Sequence, residues 1–206
     1  ILVQNASTVG LLDLKILQDK KEKSSSFFDD LKNRKFKLLY LLGSDNLEFQ
    51  KNDEFIVYQG SHGDRGAEIA DLILPSATYT EQNGLYENLE GRIQECKKAS
   101  YPIGEALEDW KIFNRIIKKL NSKDYKVNFD ELRKEVLETA PNFSGINELP
   151  KKSVIKTNNI ETSFFSEKIF VRELDYYYTN SISRSSKTMS ECRQIRQKIK
   201  KDGTNN

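Results

Sequence analysis

The sequence predicts an α/β fold in which a partial doubly wound parallel sheet is followed by a linker and a helical tail. Three short runs, at residues 38–42, 55–58 and 72–74, are apolar throughout instead of alternating, which is typical of parallel strands covered on both faces. Each run is followed by polar, Gly or Pro residues. The gaps between the runs are about a dozen residues long, near the minimum for a crossover to a parallel strand.

The composition limits the size and the class of the protein. With 206 residues, of which 37% are hydrophobic, the chain has room for one α/β domain and an appendage. The formal net charge of +2 gives no general attraction to nucleic acid or anionic lipid. The apolar runs are far shorter than the roughly 20 residues of a membrane-spanning helix, so we expect a soluble chain. Two cysteines and the single histidine His62 are too few for a zinc or iron–sulfur site of their own.

Capping residues and apolar spacing predict the helices of the domain. A helix at residues 27–35 follows three serines that can cap it, and short crossover helices are expected at residues 45–51 and 64–70. The clearest helix covers residues 105–120, where apolar side chains recur at intervals of three and four and form one stripe. The stripe consists of Ala106, Trp110, Phe113, Ile117 and Leu120.

A further helix at residues 129–140 marks the end of the predicted domain. Asn128 is a suitable N-cap, Glu131 completes a capping-box pattern, and Pro141 ends the helix. The following residues are rich in Asn, Ser and Lys and lack a sustained period. The sequence therefore predicts three parts: an α/β part at residues 1–141, an irregular linker at 142–168, and a C-terminal extension at 169–206.

The C-terminal extension has β-type residues at 168–180 and a helical pattern at 183–201. That helix places Met189, Cys192, Ile195 and Ile199 on one side, and residues 184–201 contain seven basic side chains against the single acid Glu191. Such a patch can contact nucleic acid or a membrane surface, but it lacks the bulky apolar face of an interfacial helix and the stacking aromatics of an RNA binder. A solvated tail, or one docked on another protein, is favoured.

The segment "GSHGDRG" places three evenly spaced glycines, Gly60, Gly63 and Gly66, between a strand and a helix. Such glycines can let phosphate oxygens approach backbone N–H groups. Asp64 would put a negative charge there, and the spacing is not the dinucleotide fingerprint, so a tight turn capped by Asp64 is favoured. His62 lies where open α/β sheets bind ligands, but the absence of a recognisable paired nucleophile favours a structural histidine.

The stretch "ADLILPSATYTEQNGLYENLEGRIQ" contains charged side chains that are capable of acid–base chemistry, namely Glu81, Glu87, Glu90 and Arg92. Asn83-Gly84 is a turn signal, and the residues after it can form the returning arm of a hairpin. A hairpin in which Arg92 pairs with Glu87 or Glu90 is the favoured interpretation. The sequence therefore predicts no catalytic, cofactor-binding or metal-binding residue in this chain.

Several segments resemble one family. "FIVYQGSHGDRGAEIADLILPSATYTEQNGLYENLEGRIQECKKA" resembles the C-terminal part of the large iron–sulfur subunits of respiratory complex I, NADH:ubiquinone oxidoreductase. "EDWKIFNRI" and "YYYTNSISRSSKTMSEC" are similar to the same subunits at later points, and the second is the most specific. The similarity extends to Cys192 and is loosest over residues 142–168. The ADLILP, EGR and Q pattern is shared with active molybdopterin oxidoreductases such as formate dehydrogenases, which are the alternative.

The resemblance implies that residues 1–141 are the C-terminal half of a molybdopterin oxidoreductase-like domain that keeps the fold without the cofactor. It also implies a non-catalytic structural role in the peripheral arm of complex I, on the matrix side of the mitochondrial inner membrane, in support of electron transfer from NADH to ubiquinone. The family's iron–sulfur clusters lie in an N-terminal part that is not recognisable in this sequence. Glu87 stands where active relatives usually have Thr, and a carboxylate does not favour a phosphate-bearing pterin.

The predicted sheet is incomplete. Three parallel strands leave an exposed edge and bury too little surface for independent stability. We therefore expect a neighbouring polypeptide to supply the missing strands, and this chain to be one piece of a split subunit. The resemblance implies that the partners are other peripheral-arm subunits, among them the chain with the cluster-binding part.

Overall fold

The computed structural model describes residues 8–16, 27–45, 50–121, 128–149 and 175–203. The chain divides into two compact units, the first comprising Ile1–Ser61 and Arg65–Pro150 and the second comprising His62–Asp64 and Lys151–Asn206. The described elements of the first unit are α1 (Thr8–Asp13), α2 (Phe27–Lys32), β1 (Leu38–Leu42), β2 (Phe55–Gly60), α3 (Arg65–Glu68), β3 (Leu72–Pro75), β4 (Gly84–Glu87), β5 (Ile93–Cys96), α4 (Asp109–Asn121), α5 (Phe129–Thr139) and a 3-10 helix (Pro141–Ser144). Those of the second unit are α6 (Ser181–Ser185) and α7 (Lys187–Gly203).

The first unit contains the predicted parallel sheet, with the strand order β1, β2, β3. Leu38 lies beside Phe55 and Leu42 beside Gln59, so even-numbered residues of β1 share a face of the sheet with odd-numbered residues of β2. Strand β2 extends two residues further than predicted, to Gly60. The parallel α/β class is confirmed, whereas the doubly wound arrangement stays a prediction.

One face of the sheet carries the main core. Alternate residues of β1 and β2 point to this face and meet α2, in a cluster that consists of Leu31, Leu39, Leu41, Ile56 and Tyr58. Ala67 and Ile69, in and just after α3, pack against it. Burial of side chains of this size stabilises the fold by about 1.5–3 kcal/mol each.

The opposite face of the sheet is only partly covered. The ring of Tyr40 stacks on Phe113 of α4 with a centroid distance of 5.7 Å, and Ile112 of α4 is buried. The three apolar side chains nearer the edge are left in solvent, since Leu38, Leu42 and Phe55 are 58%, 53% and 48% exposed. Among the described residues, no strand pairs with the outer edge of β1.

Helix α4 begins at Asp109, four residues later than predicted. The N–H of Leu107 donates to Pro75 O at 3.2 Å, and the N–H of Ala77 donates to Leu107 O at 2.8 Å. This isolated parallel bridge holds residue 107 extended beside β3, so the helix starts only after it. The predicted helices at residues 27–35 and 64–70 are present but shorter, as α2 and α3. Most of the helix predicted at residues 45–51 lies outside the described residues.

A hairpin of β4 and β5 follows the sheet, but its turn is not where the sequence predicted it. Asn83-Gly84 leads into β4, and the chain reverses at residues 88–92 instead. The side-chain Oδ1 of Asn88 accepts hydrogen bonds from the N–H groups of Glu90 and Arg92, both at 2.9 Å. Gly91 has a φ of +79°, which favours glycine. The Asn88 side chain therefore organises the turn.

The hairpin packs on α5 and the 3-10 helix in a second cluster, centred on the buried Ile93, Ala140 and Phe143. The capping box of Asn128 and Glu131 at the start of α5 is confirmed. Asn147 then covers the outer edge of β5, because its N–H donates to Ile93 O at 2.7 Å and its Oδ1 accepts from Glu95 N at 3.2 Å. The described part of the predicted linker thus packs within the first unit.

The predicted C-terminal helix is present in the second unit as two helices. Asn180 caps α6 by accepting from the N–H of Ser183, and Ser186, with φ −82° and ψ 121°, interrupts the helix before α7. Residues 175–180 form turns, while the earlier part of the predicted β-type segment lies outside the described residues. None of the described helices has the length and apolarity needed to cross a bilayer.

Gly66 of α3 allows a close approach of two backbones. A Cβ atom added at Gly66 would lie 2.7 Å from Ser44 O and 3.1 Å from Asp45 Cα. The N–H of Gly66 also donates to Asp45 O at 3.3 Å. Any side chain at this position would separate α3 from the loop after β1.

We predict that Gly66→Ala lowers the free energy of unfolding by about 1–3 kcal/mol, because the backbone at Ser44 must shift. The higher helix propensity of Ala alone would predict the opposite sign. Chemical denaturation of the protein, purified with any chains that accompany it, measures the change. Gly145→Ala is the matched control, since its Cβ would meet only the Glu148 side chain at 3.7 Å. It should stay within about 0.5 kcal/mol.

Candidate functional site

Two of the three glycines of "GSHGDRG", Gly60 and Gly66, lie against the chain's own atoms. A Cβ at Gly60 would collide with the ring of Tyr58, and one at Gly66 would collide with the backbone at Ser44. The space that a glycine-rich phosphate loop leaves for an anion is therefore filled by a tyrosine ring and a carbonyl group. This geometry favours the tight turn over a phosphate site.

His62 and Asp64 belong to the second unit together with the C-terminal helices. Arg184 Nε of α6 donates to Asp64 Oδ2 at 2.7 Å, and the Arg184 side chain is largely buried. Asp64 is thus committed to a charge-assisted hydrogen bond with a guanidinium group. The structural role of His62 stays a prediction.

The four charged residues of the stretch after β3 do not form one site. Glu81 Oε2 accepts from the N–H of Thr78 at 3.1 Å, and Glu90 is exposed on the turn. Within the described ranges, no ion pair joins Arg92 to Glu87 or Glu90, so the predicted salt bridge is wrong. The backbone of Arg92 bonds to Asn88 instead, and its Nε is buried without a hydrogen-bond partner.

Glu87, at the end of β4, is the one member of this set that is buried. Its side chain lies between α1 and the hairpin turn, since Cβ positions at Gly10 and Gly91 would be 3.5 Å from Glu87 Cβ and 3.7 Å from Glu87 Oε1. The carboxyl group faces that of Asp13 in α1. Asn142 Nδ2 in turn donates to Asp13 Oδ2 at 3.1 Å. Two acids and a carboxamide therefore meet where α1, β4 and the 3-10 helix converge.

Burial, and then the charge of Asp13 and a hydrogen bond with it, raise the pKa of Glu87 to about 7. Like charges at short distance favour a state in which the pair holds one proton. Glu87 Oε2 is buried without a hydrogen-bond partner. Glu87 can hold a proton, but neither Glu87 nor Asp13 lines the cavity of about 360 Å³ between the hairpin and helices α4 and α5.

A second polar cluster links the sheet to α4 and to the segment before β4. Gln59 of β2 is 0% exposed, and its carboxamide oxygen accepts from the Tyr40 hydroxyl group. Gln59 Nε2 donates to Asp109 Oδ1 at 2.6 Å, and Gln82 Nε2 donates to Asp109 Oδ2 at 2.8 Å. The N–H of Asp109 donates back to Gln82 Oε1 at 3.0 Å. Burial, and secondarily the Asp109 charge, raise the pKa of Tyr40.

Local sequence carries only a partial signal for these clusters. Gln59 directly follows a run of four apolar residues, so a polar side chain in the continuing strand is the available clue. The sequence predicts for Asp109 only a favourable charge near the start of a helix, and it does not single out Asp13 or Gln82. The partners in these clusters lie 19 to 129 positions apart along the chain, which no local pattern encodes.

A cavity of about 360 Å³ lies beside the Asp109 cluster, between the hairpin and helices α4 and α5. Its wall is mainly apolar and includes Trp110, Phe129, Leu132 and Val136. At its rim Arg133 of α5 donates to Glu95 of β5 at 2.5 Å. Among the described residues, no three His, Cys, Asp or Glu side chains lie close enough to hold a metal ion. The site therefore offers packing and hydrogen bonding rather than a recognisable catalytic constellation.

Family models match most of the chain. The molybdopterin oxidoreductase model matches residues 1–119. A model described as the C-terminal part of the NADH-ubiquinone oxidoreductase G subunit matches residues 139–192. The two matches together cover both the parallel sheet and the start of α7.

Curated relatives carry related names. The NADH-ubiquinone oxidoreductase 75 kDa subunit of Reclinomonas americana is 38% identical over 95% of this chain and 28% of its own length. The NADH-quinone oxidoreductase G subunit of Rickettsia bellii (strain RML369-C) is 38% identical over 98% of this chain and 28% of its own length. The mitochondrial NADH-ubiquinone oxidoreductase 78 kDa subunit of Candida albicans is 36% identical over 93% and 27%. The chain thus spans less than a third of the length of these relatives.

We predict that Asp109→Ala lowers the free energy of unfolding by about 2–3 kcal/mol, because the buried Gln59 amide loses its acceptor and the Gln82 amide keeps only Ala77 O at 3.3 Å. Chemical denaturation measures the change. Asp53→Ala is the matched control, since Asp53 pairs with Arg34 at 3.1 Å while both side chains are mostly in solvent. That exposed pair contributes no more than about 1 kcal/mol. Equal losses for the two variants would contradict a structural role for the Asp109 cluster.

We also predict that the contact between α1 and β4 weakens as the pH rises. Because the folded state raises the pKa of Glu87 from 4.5 to about 7, the stabilisation is complete below about pH 4.5 and is lost as the pH rises through 7. Hydrogen exchange at the amides of α1 should show a local opening free energy lower by on the order of 2 kcal/mol at pH 8 than at pH 5. Glu87→Gln should abolish this dependence, and the exposed control Glu90→Gln should retain it.

Proposed function

This chain belongs to the molybdopterin oxidoreductase family, and from that premise we propose that it is a non-catalytic structural part of the large iron–sulfur subunit of respiratory complex I. It supports electron transfer from NADH to ubiquinone in the peripheral arm, on the matrix side of the mitochondrial inner membrane. The names of the relatives support this assignment, because they are NADH-ubiquinone or NADH-quinone oxidoreductase subunits. The match of residues 139–192 to the G subunit model supports it independently of the sheet.

The observation that carries the structural role is that the sheet face opposite the main core is only partly covered; its exposed part is called the uncovered face. Leu38 and Leu42 of β1 and Phe55 of β2 share this face and are about half exposed. The outer edge of β1 also presents unpaired backbone groups among the described residues, and such edges recruit further strands. Another polypeptide, which carries the cluster-binding part of a split subunit, supplies the strand that covers this edge.

The chain contributes no cofactor site in this role. A phosphate-bearing pterin is anionic, and the buried Glu87 carboxyl group with the half-buried Asp13 carboxyl group disfavours an anion at the end of β4. The space beside Gly60 and Gly66 is filled by the Tyr58 ring and by the backbone at Ser44. The described residues therefore do not fit a molybdopterin. The iron–sulfur clusters belong to the part of the subunit that the partner chain carries.

The alternative, a fragment of an active molybdopterin oxidoreductase such as a formate dehydrogenase, is not favoured. The relatives bear the names of NADH-ubiquinone or NADH-quinone oxidoreductase subunits, and the C-terminal match is to the G subunit model. Metal analysis separates the two functions directly. Stoichiometric molybdenum or tungsten in the purified assembly would favour the alternative.

A charge placed on the uncovered face tests the proposed role. We predict that Leu42→Lys reduces co-purification of the cluster-bearing chain by about tenfold or more, because a buried ammonium group costs several kcal/mol. Leu120→Lys in α4 is the control, since Leu120 is 77% exposed and belongs to no strand of the sheet. Tagged protein is isolated from respiratory membranes, and the accompanying chains are quantified by mass spectrometry.

Two results would overturn the proposal. The first is equal recovery of partner chains with Leu42→Lys and with Leu120→Lys. The second is a chain that, expressed alone, is monomeric, highly soluble and unfolds cooperatively, because such a chain does not need a partner to close its sheet.

A further inference from the structure

Helix α7 carries a stripe of apolar side chains that its own unit leaves uncovered. Met189, Ile195 and Ile199 are 39%, 58% and 65% exposed. Together with the half-buried Cys192 they recur at intervals of three and four, which places them on one side of the helix. Isolated exposed apolar residues are ordinary, but a continuous stripe marks a contact surface.

Helix α7 also contacts residues 175–178 of the same unit through Arg193 and Arg196. Arg193 lies over the ring of Tyr178 at 4.5 Å and donates through Nε to Asp175 at 2.5 Å. Arg196 lies over Tyr176 at 5.6 Å and over Tyr177 at 5.8 Å. Three tyrosine rings and the Asp175 carboxylate thus hold Arg193 and Arg196, and with them α7, in place. Arg196 follows Cys192 by four residues and therefore lies on the side of the stripe near Met189, so these contacts leave Ile195 and Ile199 as the most exposed part of the stripe.

The charges of α7 complement an acidic surface. By sequence the helix contains four lysines, Lys187, Lys198, Lys200 and Lys201, besides Arg193 and Arg196, against the two acids Glu191 and Asp202. Because both arginines contact tyrosine rings of the same unit, the attraction to an acidic surface comes from the lysines, among which Lys187 and Lys198 are exposed. Lys187 approaches Glu191 only at 4.0 Å, and its side chain is 92% exposed. An apolar stripe bordered by cations fits an apolar groove with an acidic rim, because the rim selects and orients the helix while the groove buries the stripe.

We propose that α7 docks through Met189, Ile195 and Ile199 into an apolar, acid-rimmed groove on another protein subunit. The inference relies on the proposed function for the assembly in which this partner occurs. The surface differs from the uncovered face of the sheet in its residues, its charge and its unit. It therefore adds a second, independent attachment to the one made by β1.

The side chains favour a protein partner over a lipid surface. Helices that lie in a membrane interface bury Trp, Phe or Leu side chains, whereas this stripe consists of two isoleucines, a methionine and a half-buried cysteine. Arg193 and Arg196 are committed to tyrosine rings, and Arg193 also to Asp175, so these cations are not available to lipid headgroups. Binding to anionic lipid is accordingly an outcome that the experiment must be able to detect.

Site-specific photo-crosslinking in the intact assembly tests the docking directly. A benzophenone amino acid replaces Ile195 in one variant and the neighbouring Gln194, on the polar side of α7, in the other. We expect Ile195 to crosslink to one polypeptide at a segment that contains aliphatic and acidic residues, and Gln194 to give at least tenfold less product. Equal labelling from both positions, adducts with lipid alone, or no adduct at all would overturn the proposal.

Two double variants distinguish the loss of the apolar stripe from a general effect of substitutions in α7. Ile195→Ser with Ile199→Ser should weaken retention of the crosslinked subunit by about tenfold or more per buried isoleucine. Gln194→Ser with Gln197→Ser makes the same change on the polar side and should have no effect. Raising the salt concentration should weaken retention of the unmodified protein, because screening reduces the attraction to the acidic rim.

The two proposals fail in different ways. Loss of the cluster-bearing chain in Leu42→Lys reports on the sheet edge and thus on the proposed function. The isoleucine variants should keep that chain and lose only the subunit that crosslinks to α7. If the isoleucine variants retain every subunit, the docking of α7 is wrong and the proposed function stands.

Discussion

The first unit depends on one fully buried carboxamide. Gln59 lies in the central strand, and its two polar atoms reach Tyr40 in β1 and Asp109 at the start of α4. Asp109 also satisfies Gln82, which in return accepts from the N–H of Asp109, one of the groups that a helix N-terminus leaves without a partner. In an interior of low dielectric, a group left unpaired in such a network costs more than it would in water. The position of α4, and of the chain that enters the hairpin, follows from this network.

The Glu87–Asp13 cluster joins α1 to the hairpin. The carboxyl group of Glu87 lies under α1 and beside Gly91, and Asp13 faces it. Burial and the neighbouring Asp13 carboxylate raise the pKa of Glu87, and among the described residues no cation pairs with Glu87. A surface of this kind is suited to joining elements of one chain, and it is unsuited to receiving a phosphate group. In the proposed role the domain contributes shape, and the redox chemistry occurs in another polypeptide.

Local signals were sufficient for the elements whose cause is local. The continuous apolar runs predicted the three parallel strands, and Asn128 with Glu131 predicted the start of α5. The errors arose where a distant residue decides the conformation. Leu107 is held extended by Pro75 and Ala77, so α4 starts late, and Asn88 rather than Asn83-Gly84 makes the hairpin turn. The pairing of Glu87 with Asp13 joins residues 74 positions apart, and the sequence around each residue gives no sign of the other.

Asn147 has a consequence for how the hairpin behaves in a crowded solution. Its backbone N–H and its side-chain oxygen occupy the two groups of Ile93 and Glu95 that an incoming strand would use. One residue with a φ of +65° thus takes the place of a third strand without offering a further edge of its own. The β5 edge of the ribbon, ended in this way, cannot act as a template on which identical copies stack into fibrils.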